Sequence, residues 1–310
     1  MRRVSAIICT HNRADFLGKA LESLTKQTMR SDDYEVIVVD NASTDQTASV
    51  VGAFRTTLPG LRYVREERLG LSWARNTGAQ IATAPYVAYL DDDAHAEPEW
   101  LERIVQAFEL SSPAPAAVGG RVWLDWARGV PAWLPRRYWS LYTYLDHGDE
   151  ARYLLPNEHL VGANMAFRRD VLLASGGFDS RLGRRGTTLL SGEEAAVIQT
   201  LRDAQMPIYY EPQAAVWHAV PEARRRRRWL WMRLFWDGAS QPLLDRAAHP
   251  RQFYVSQAYQ DMRRSGFFVV QWLRALRRGE RALRVDSALA LIQRLGRLRT
   301  HCLLVWRVPQ

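Results

Sequence analysis

Three consecutive carboxylates, Asp91, Asp92 and Asp93, end the apolar run from Pro85 to Leu90. The run is short and rich in Val, Tyr and Leu, the pattern of a buried strand. Adjacent acids at a strand end repel one another unless positive charge lies among them, and a divalent cation carrying a phosphorylated ligand supplies it. The plainer alternative is a solvated acidic turn. Three further residues could do chemistry. Glu193 and Glu194 open a helical stretch behind Ser191, where a cap and first-turn acids are ordinary helix chemistry. His218 closes a short strand, as a structural histidine or as a ligand.

The elements that must position these groups alternate. Val4 to Cys9 is a strand ending in Thr10-His11-Asn12-Arg13, and Ala14 to Gln27 has helical spacing. Tyr34 to Val39 is a second strand, closed by Asp40. Ser43 and Asp45 can cap a helix over 47–55. A third strand over 61–64, a helix over 72–81 carrying Arg75 and the strand before Asp91 complete the series. Strand-helix alternation predicts a parallel, helix-covered sheet, whose ligands bind beyond the carboxyl ends of the strands. Thr10–Arg13, Asp40 and Asp91–Asp93 all fall at such ends. After them the pattern predicts a helix from Pro98 to Phe108, a strand over 118–123, a helix from Glu193 to about Ala204, and two strands over 208–210 and 214–217.

The 310 residues suffice for one large domain with an extension. Cys9 and Cys302 lie far apart, which predicts a reducing compartment without a disulfide framework, Cys9 being a free buried thiol. No signal peptide is evident, and no apolar run approaches the roughly 18–20 residues that span a bilayer. The net charge of +9 is uneven: residues 221–310 hold 19 arginines against six acidic residues, and the first 110 are net acidic. Lys19 and Lys26 are the only lysines.

The aromatic stretch 123–160, beginning at Trp123, reads either as a packed excursion over the core or as a sugar-stacking wall. Arg224–Arg228, followed by apolar and aromatic residues to Trp236, reads as an interfacial helix on an anionic membrane surface. A helix packed on the rest of the protein is the alternative. No recognised DNA- or RNA-binding motif accompanies the charge, so no nucleic-acid partner is expected.

In this order the motifs resemble family 2 glycosyltransferases, the inverting GT-A-fold enzymes that use nucleotide sugars. The matching residues are Ile8–Arg13, Val38–Asp45, Gly70 with Ala74–Gly78, Leu90–Asp93, Gly162–Phe167, Gly176–Asp179, Ser191–Glu194 and Trp217-His218, together covering about 3–220. The resemblance implies an α/β fold of GT-A (Rossmann-like) type: a mixed, mostly parallel sheet flanked by helices. It implies a catalytic domain over 1–222, with a nucleotide-binding half (1–110) and an acceptor-binding half (111–222). Residues 223–310 then form a basic, mostly helical extension.

Carried over residue by residue, the resemblance places Thr10, Asn12, Arg13, Asp40 and Arg75 around the nucleotide and its phosphates. It places Asp91 and Asp92 on the ribose and donor sugar, and Asp93, with His218, on Mg²⁺ or Mn²⁺. The family usually has Glu-Asp where this chain has Glu193-Glu194, so Glu194 stands in the place of the Asp as general base, with Glu193 beside it. Asn164, Met165 and Trp123 are placed on the acceptor side. The expected activity is metal-dependent, inverting transfer of a sugar to a hydroxyl of a glycan or lipid-linked acceptor, in bacterial surface-polysaccharide or glycolipid synthesis at the cytoplasmic face of the membrane. A nucleotidyltransferase would need a Gly- and Lys-rich phosphate loop after the first strand, which is absent. A non-catalytic nucleotide-sugar or glycan-binding scaffold held at a membrane is the rival from another class.

Overall fold

The computed structural model describes residues 1–58, 60–245 and 249–307. They divide into two compact units, Met1–Ser180 with Glu193–Glu222, and Arg181–Gly192 with the chain from Ala223 onward. The loop 181–192 thus groups with the C-terminal helices, whereas the sequence reading kept it within the first 222 residues.

The first unit runs β1 (Val4–Thr10), α1 (Ala14–Thr25), β2 (Tyr34–Asp40), α2 (Thr47–Ala53), β3 (Leu61–Arg65), α3 (Leu71–Ile81), β4 (Tyr86–Asp91), β5 (Ala94–Ala96), α4 (Trp100–Leu110), β6 (Ala117–Trp126), β7 (Arg152–Tyr153), β8 (Asn164–Arg168), α5 (Arg169–Ala174), α6 (Glu193–Asp203) and β9 (Ile208–Val220). The strands form one sheet in the order β3-β2-β1-β4-β8-β6-β9-β5, with β7 on β9. The first four are parallel, and β8 is antiparallel to both β4 and β6. Register sets Thr10 opposite Asp40 and Cys9 opposite Asp91, so the polar clusters read from the sequence share one edge.

Successive residues of β1 feed two cores. Ile8 packs with Leu17, Leu21, Val38 and Trp100 on one face, and Ile7 with Ile37, Tyr89, Phe167 and Phe178 on the other. Burial on both faces explains why β1, β2 and β4 read as unbroken apolar runs. Each such large side chain contributes about 1.5–3 kcal/mol relative to exposure. Cys9, partly exposed, and Cys302 are free thiols.

The two strands expected over 208–217 are one strand, β9. Its pairing with β6 shifts register between Gly120 and Val122, so residues 212–215 bulge opposite Arg121. Pro212 lies in that bulge, where a residue without an N–H is tolerated. That proline broke the pattern in the sequence. The short β5 and β7 carried too few residues to show any periodicity.

The second unit contains α7 (Arg227–Leu244), α8 (Arg251–Arg277) and α9 (Arg281–Arg307). Both α7 and α8 pack on α9. Gly238 and Gly296 let α7 and α9 approach backbone to backbone: a Cβ on Gly238 would run into the Gln293 carbonyl, and one on Gly296 into that of Phe235. Asp261 is buried, with its carboxylate 2.8 Å from His301 Nδ1 and 3.1 Å from Arg294 Nη1. The segment 224–236 does not form a single lipid-facing stripe: Leu230 and Leu234 are buried, while Trp231 and Met232 are exposed. Among the described residues no helix is long and apolar enough to cross a membrane.

Candidate active site

The repulsion expected among the three acids is relieved within the chain. Arg13, just before α1, lays one guanidinium nitrogen 2.7 Å from Asp92 Oδ1 and the other 2.6 Å from Asp93 Oδ2. Thr10 Oγ1 donates to Asp92 Oδ2 at 2.8 Å. Burial pushes the Asp92 carboxyl up to about 6, with Arg13 and Thr10 opposing and Asp93 adding to the rise. Burial alone would pull Arg13 down, but Asp92 and Asp93 outweigh it and hold the guanidinium above its ordinary pKa.

A second arginine organises the other side. Arg75, on α3 and 2% exposed, sets Nη1 2.7 Å from Glu193 Oε1 and Nη2 3.4 Å from Asp91 Oδ1. Nη2 also donates to the Gly162 carbonyl at 3.2 Å. The guanidinium fills the space where a side chain at residue 162 would begin, so any larger residue there would push it from its place. Burial would lower its pKa, but the charges of Glu193, Asp91 and Glu194 more than offset this. Arg75 is thus a strut between two acids at the edge where the resemblance places the nucleotide and its phosphates.

Glu193 and Glu194 therefore differ. Glu193 is buried against Arg75. Glu194 is partly exposed and stands outside that ion pair, so of the two it is the one that an incoming hydroxyl can meet.

Asp91, Asp93 and His218 offer two carboxylate oxygens and a ring nitrogen that all lie within 4.8 Å of one another. Pairing of Ala94 with His218 brings β9 beside the acidic turn. His218 is fully buried, yet neither ring nitrogen has a hydrogen-bond partner among the described residues; Nε2 lies 3.2 Å from Asp93 Oδ1. A buried imidazole left without a partner beside two carboxylates fits a divalent cation, and an O,O,N donor set suits Mg²⁺ or Mn²⁺. The sequence reading had Asp93 and His218 in this set but placed Asp91 on the donor sugar.

The loop residues hold one another. Asn12 is exposed at positive φ (52°), and its side-chain oxygen accepts from the Thr44 amide at 2.7 Å. Asp45 accepts from the amides of Ala14 and Thr47, tying together the starts of α1 and α2. Asp40 is 1% exposed and accepts from the Ser43 amide, Tyr63 and Arg65 at 2.8, 2.5 and 3.3 Å. Through these bonds it braces the 40–45 loop at the end of β2.

The acceptor-side assignments need correction. Asn164 is fully buried: it accepts from Trp100 Nε1 at 2.8 Å and donates to the carbonyls of Arg121 and Ala214 at 3.0 and 2.7 Å. Met165, also fully buried, belongs to the core with Tyr89 and Phe167. Trp123 pairs with Trp217, ring centroids 6.0 Å apart, and successive strand residues face opposite sides. Trp123 and Trp217 therefore face away from His218. Trp123 also meets Tyr144, which meets Trp139, so the aromatic stretch packs largely on itself.

With this geometry in hand, the comparisons are informative. A family model described as glycosyl transferase family 2 matches residues 5–174. The chain is 32% identical over 251 residues to the glucosyl-dolichyl phosphate glucuronosyltransferase of Haloferax volcanii, covering 78% of this chain and 77% of that protein. It is 30% identical over 254 residues to the pre-mycofactocin glycosyltransferase of Mycobacterium tuberculosis, covering 80% of this chain but only 48% of that longer protein. The fold is similar to that of a mannosyltransferase from Pyrobaculum calidifontis in complex with GDP-Man and Mn²⁺ (TM-score 0.64, 21% identity, 99% of this chain and 88% of that one). It is also similar to that of S. aureus TarS 1–349 in complex with UDP (TM-score 0.54, 19% identity, 95% and 90%).

Proposed function

The chain belongs to glycosyl transferase family 2, and from that premise we propose that it transfers a sugar from a nucleotide-diphosphate donor to a hydroxyl acceptor by metal-dependent, inverting displacement. The observation that carries this reading is the convergence of Asp91, Asp93 and His218 at the carboxyl edge of the sheet, with Arg75 joining Asp91 to Glu193, the neighbour of Glu194.

In this mechanism Asp91, Asp93 and His218 hold Mg²⁺ or Mn²⁺. When bound, the ion neutralises the charge that grows on the leaving diphosphate. Arg13 keeps Asp92 and Asp93 in place before donor arrives, and Thr10 fixes the second oxygen of Asp92. Asp92 and the 10–13 loop face the ribose and nucleotide. Glu194 Oε2 takes the acceptor hydroxyl's proton as that oxygen attacks the anomeric carbon. Arg75 holds Glu193 and Asp91 at fixed separation, so base and metal ligands share one rigid frame. A single attack opposite the leaving group inverts the anomeric centre and requires no enzyme-bound sugar.

The Haloferax relative is named for glucosyl-dolichyl phosphate, which supports a lipid-linked sugar as acceptor here. The arginines 224–228 support action at the inner, anionic face of a membrane. A thermal-shift screen of UDP, GDP, CDP and dTDP sugars, with Mn²⁺ or with EDTA, tests the donor reading, since ligand that binds only the folded state raises Tm. At least one nucleotide sugar should raise Tm with Mn²⁺ and not with EDTA. No shift with any of them would contradict the reading.

A further inference from the structure

The outer face of α8 is an uncovered apolar stripe. Val255, Tyr259, Met262, Val269, Leu273 and Leu276 recur at alternating three- and four-residue steps, with Gly266 completing the series, and each of the six is 40–56% exposed. Their spacing places them on one side of the helix, over about 32 Å of its length. Asp261, Ser265 and Ala275, along one flank of the stripe, are buried. Exposed apolar surface this continuous marks a contact surface.

Charge decides what covers it. Asp261 is the sole acidic residue of α8, and it is spent on His301 and Arg294. Arg263 and Arg277 border the stripe on one flank, with no acidic residue beside them on the same helix. Past Arg263, away from the stripe, a depression of about 530 Å³ is lined by Gln260, Arg263, Arg264 and Phe267, its arginines suited to a phosphate. Were the stripe to pair with a second copy of itself, Arg263 and Arg277 would flank the seam and meet arginines instead of acids, which disfavours the pairing. An anionic lipid surface satisfies both the stripe and its basic border.

We infer that α8 lies in the plane of an anionic bilayer, with Val255 to Leu276 at the headgroup–acyl boundary and the flanking arginines on lipid phosphates. This deepens the membrane part of the proposed function by moving the principal contact from 224–236 to α8, and it does not depend on the donor chemistry. The 3-4 repeat was not read from the sequence because Arg263, Arg264 and Arg274 interrupt the apolar residues along the chain.

Co-sedimentation of the full chain with phosphatidylcholine vesicles, with and without phosphatidylglycerol, tests the inference. The protein should pellet with the anionic vesicles, less so as salt rises. Met262→Glu with Leu273→Glu should weaken that binding roughly tenfold or more, while the donor-induced thermal shift is unchanged. Arg263→Gln with Arg277→Gln, which leaves the stripe intact, should weaken binding to anionic vesicles only, a check should the first variant fold poorly. Wild-type protein that stays in the supernatant, or stripe variants that bind as wild type does, would overturn the inference. So would a dimer by light scattering that the stripe variants convert to monomer. If Arg→Gln changes over 224–228 abolish binding and the α8 changes do not, the membrane reading stands and α8 is excluded.

Discussion

Arg75 Nη1 lies 2.7 Å from Glu193 Oε1, with both side chains at most 5% exposed. This contact makes two adjacent glutamates unequal, one locked inside the protein and one left able to accept a proton. It also ties the start of α6 to Asp91 at the end of β4.

Removing Arg75 should strand a buried carboxylate. Arg75→Ala is expected to cost about 3–5 kcal/mol, measured by urea unfolding. Arg75→Ala with Glu193→Gln should recover part of that loss. Additive losses would mean the pair is not coupled. Gly162→Ala, which drives a methyl group into the same guanidinium, should be destabilising as well.

Asn164→Ala should behave as a core mutation. It orphans the Trp100 indole N–H and two carbonyls, at a cost of about 1–3 kcal/mol per group left unsatisfied. The expected readout is a lower Tm without a selective rise in acceptor KM. A selective KM effect at unchanged stability would restore the acceptor role.

Glu66 gives a pH signature away from the chemistry. Hydrogen bonds from Arg68, with Thr77 adding to them against the opposing effect of burial, hold its carboxyl at about 2, below the ordinary 4.5. A depressed folded-state pKa stabilises above the unfolded value and is lost as pH falls through the folded one. The stability contributed by Glu66 should therefore be complete above pH 4.5 and decline toward pH 2. Glu66→Gln should flatten that limb of a Tm–pH curve.

The metal reading predicts that Asp93→Asn and His218→Asn each weaken Mn²⁺ binding by roughly tenfold or more, followed by electron paramagnetic resonance of free Mn²⁺. Asp92→Asn should affect it less, because Asp92 faces Arg13 and Thr10. Equal losses for all three would assign Asp92 to the ligand set.

The parallel half of the fold was legible because β1, β2 and β4 are buried on both faces and end in polar residues at matched register. The antiparallel half was less so: β8 interposes between β4 and β6, a long-range pairing that no local pattern records. At the site, motif order singled out Asp93, His218 and Glu194 as candidates. It could not show that Arg75 turns inward to Glu193, nor that Asn164 and Met165 are buried, since a short polar-apolar run reads the same at an edge as in a core. Arginines cluster visibly over 224–228 in the sequence, whereas the uncovered stripe emerges only on winding α8 into a helix.

The central claim is that Glu194 is the base of an inverting transfer whose donor sits at the Asp91–Asp93 edge. The direct measurement is turnover at saturating nucleotide sugar and Mn²⁺ for wild type and Glu194→Gln, alongside the donor-induced thermal shift of each. The account predicts that the variant loses roughly 10²–10⁴-fold in kcat and keeps the shift. A Glu194→Gln enzyme that turns over at the wild-type rate would contradict it.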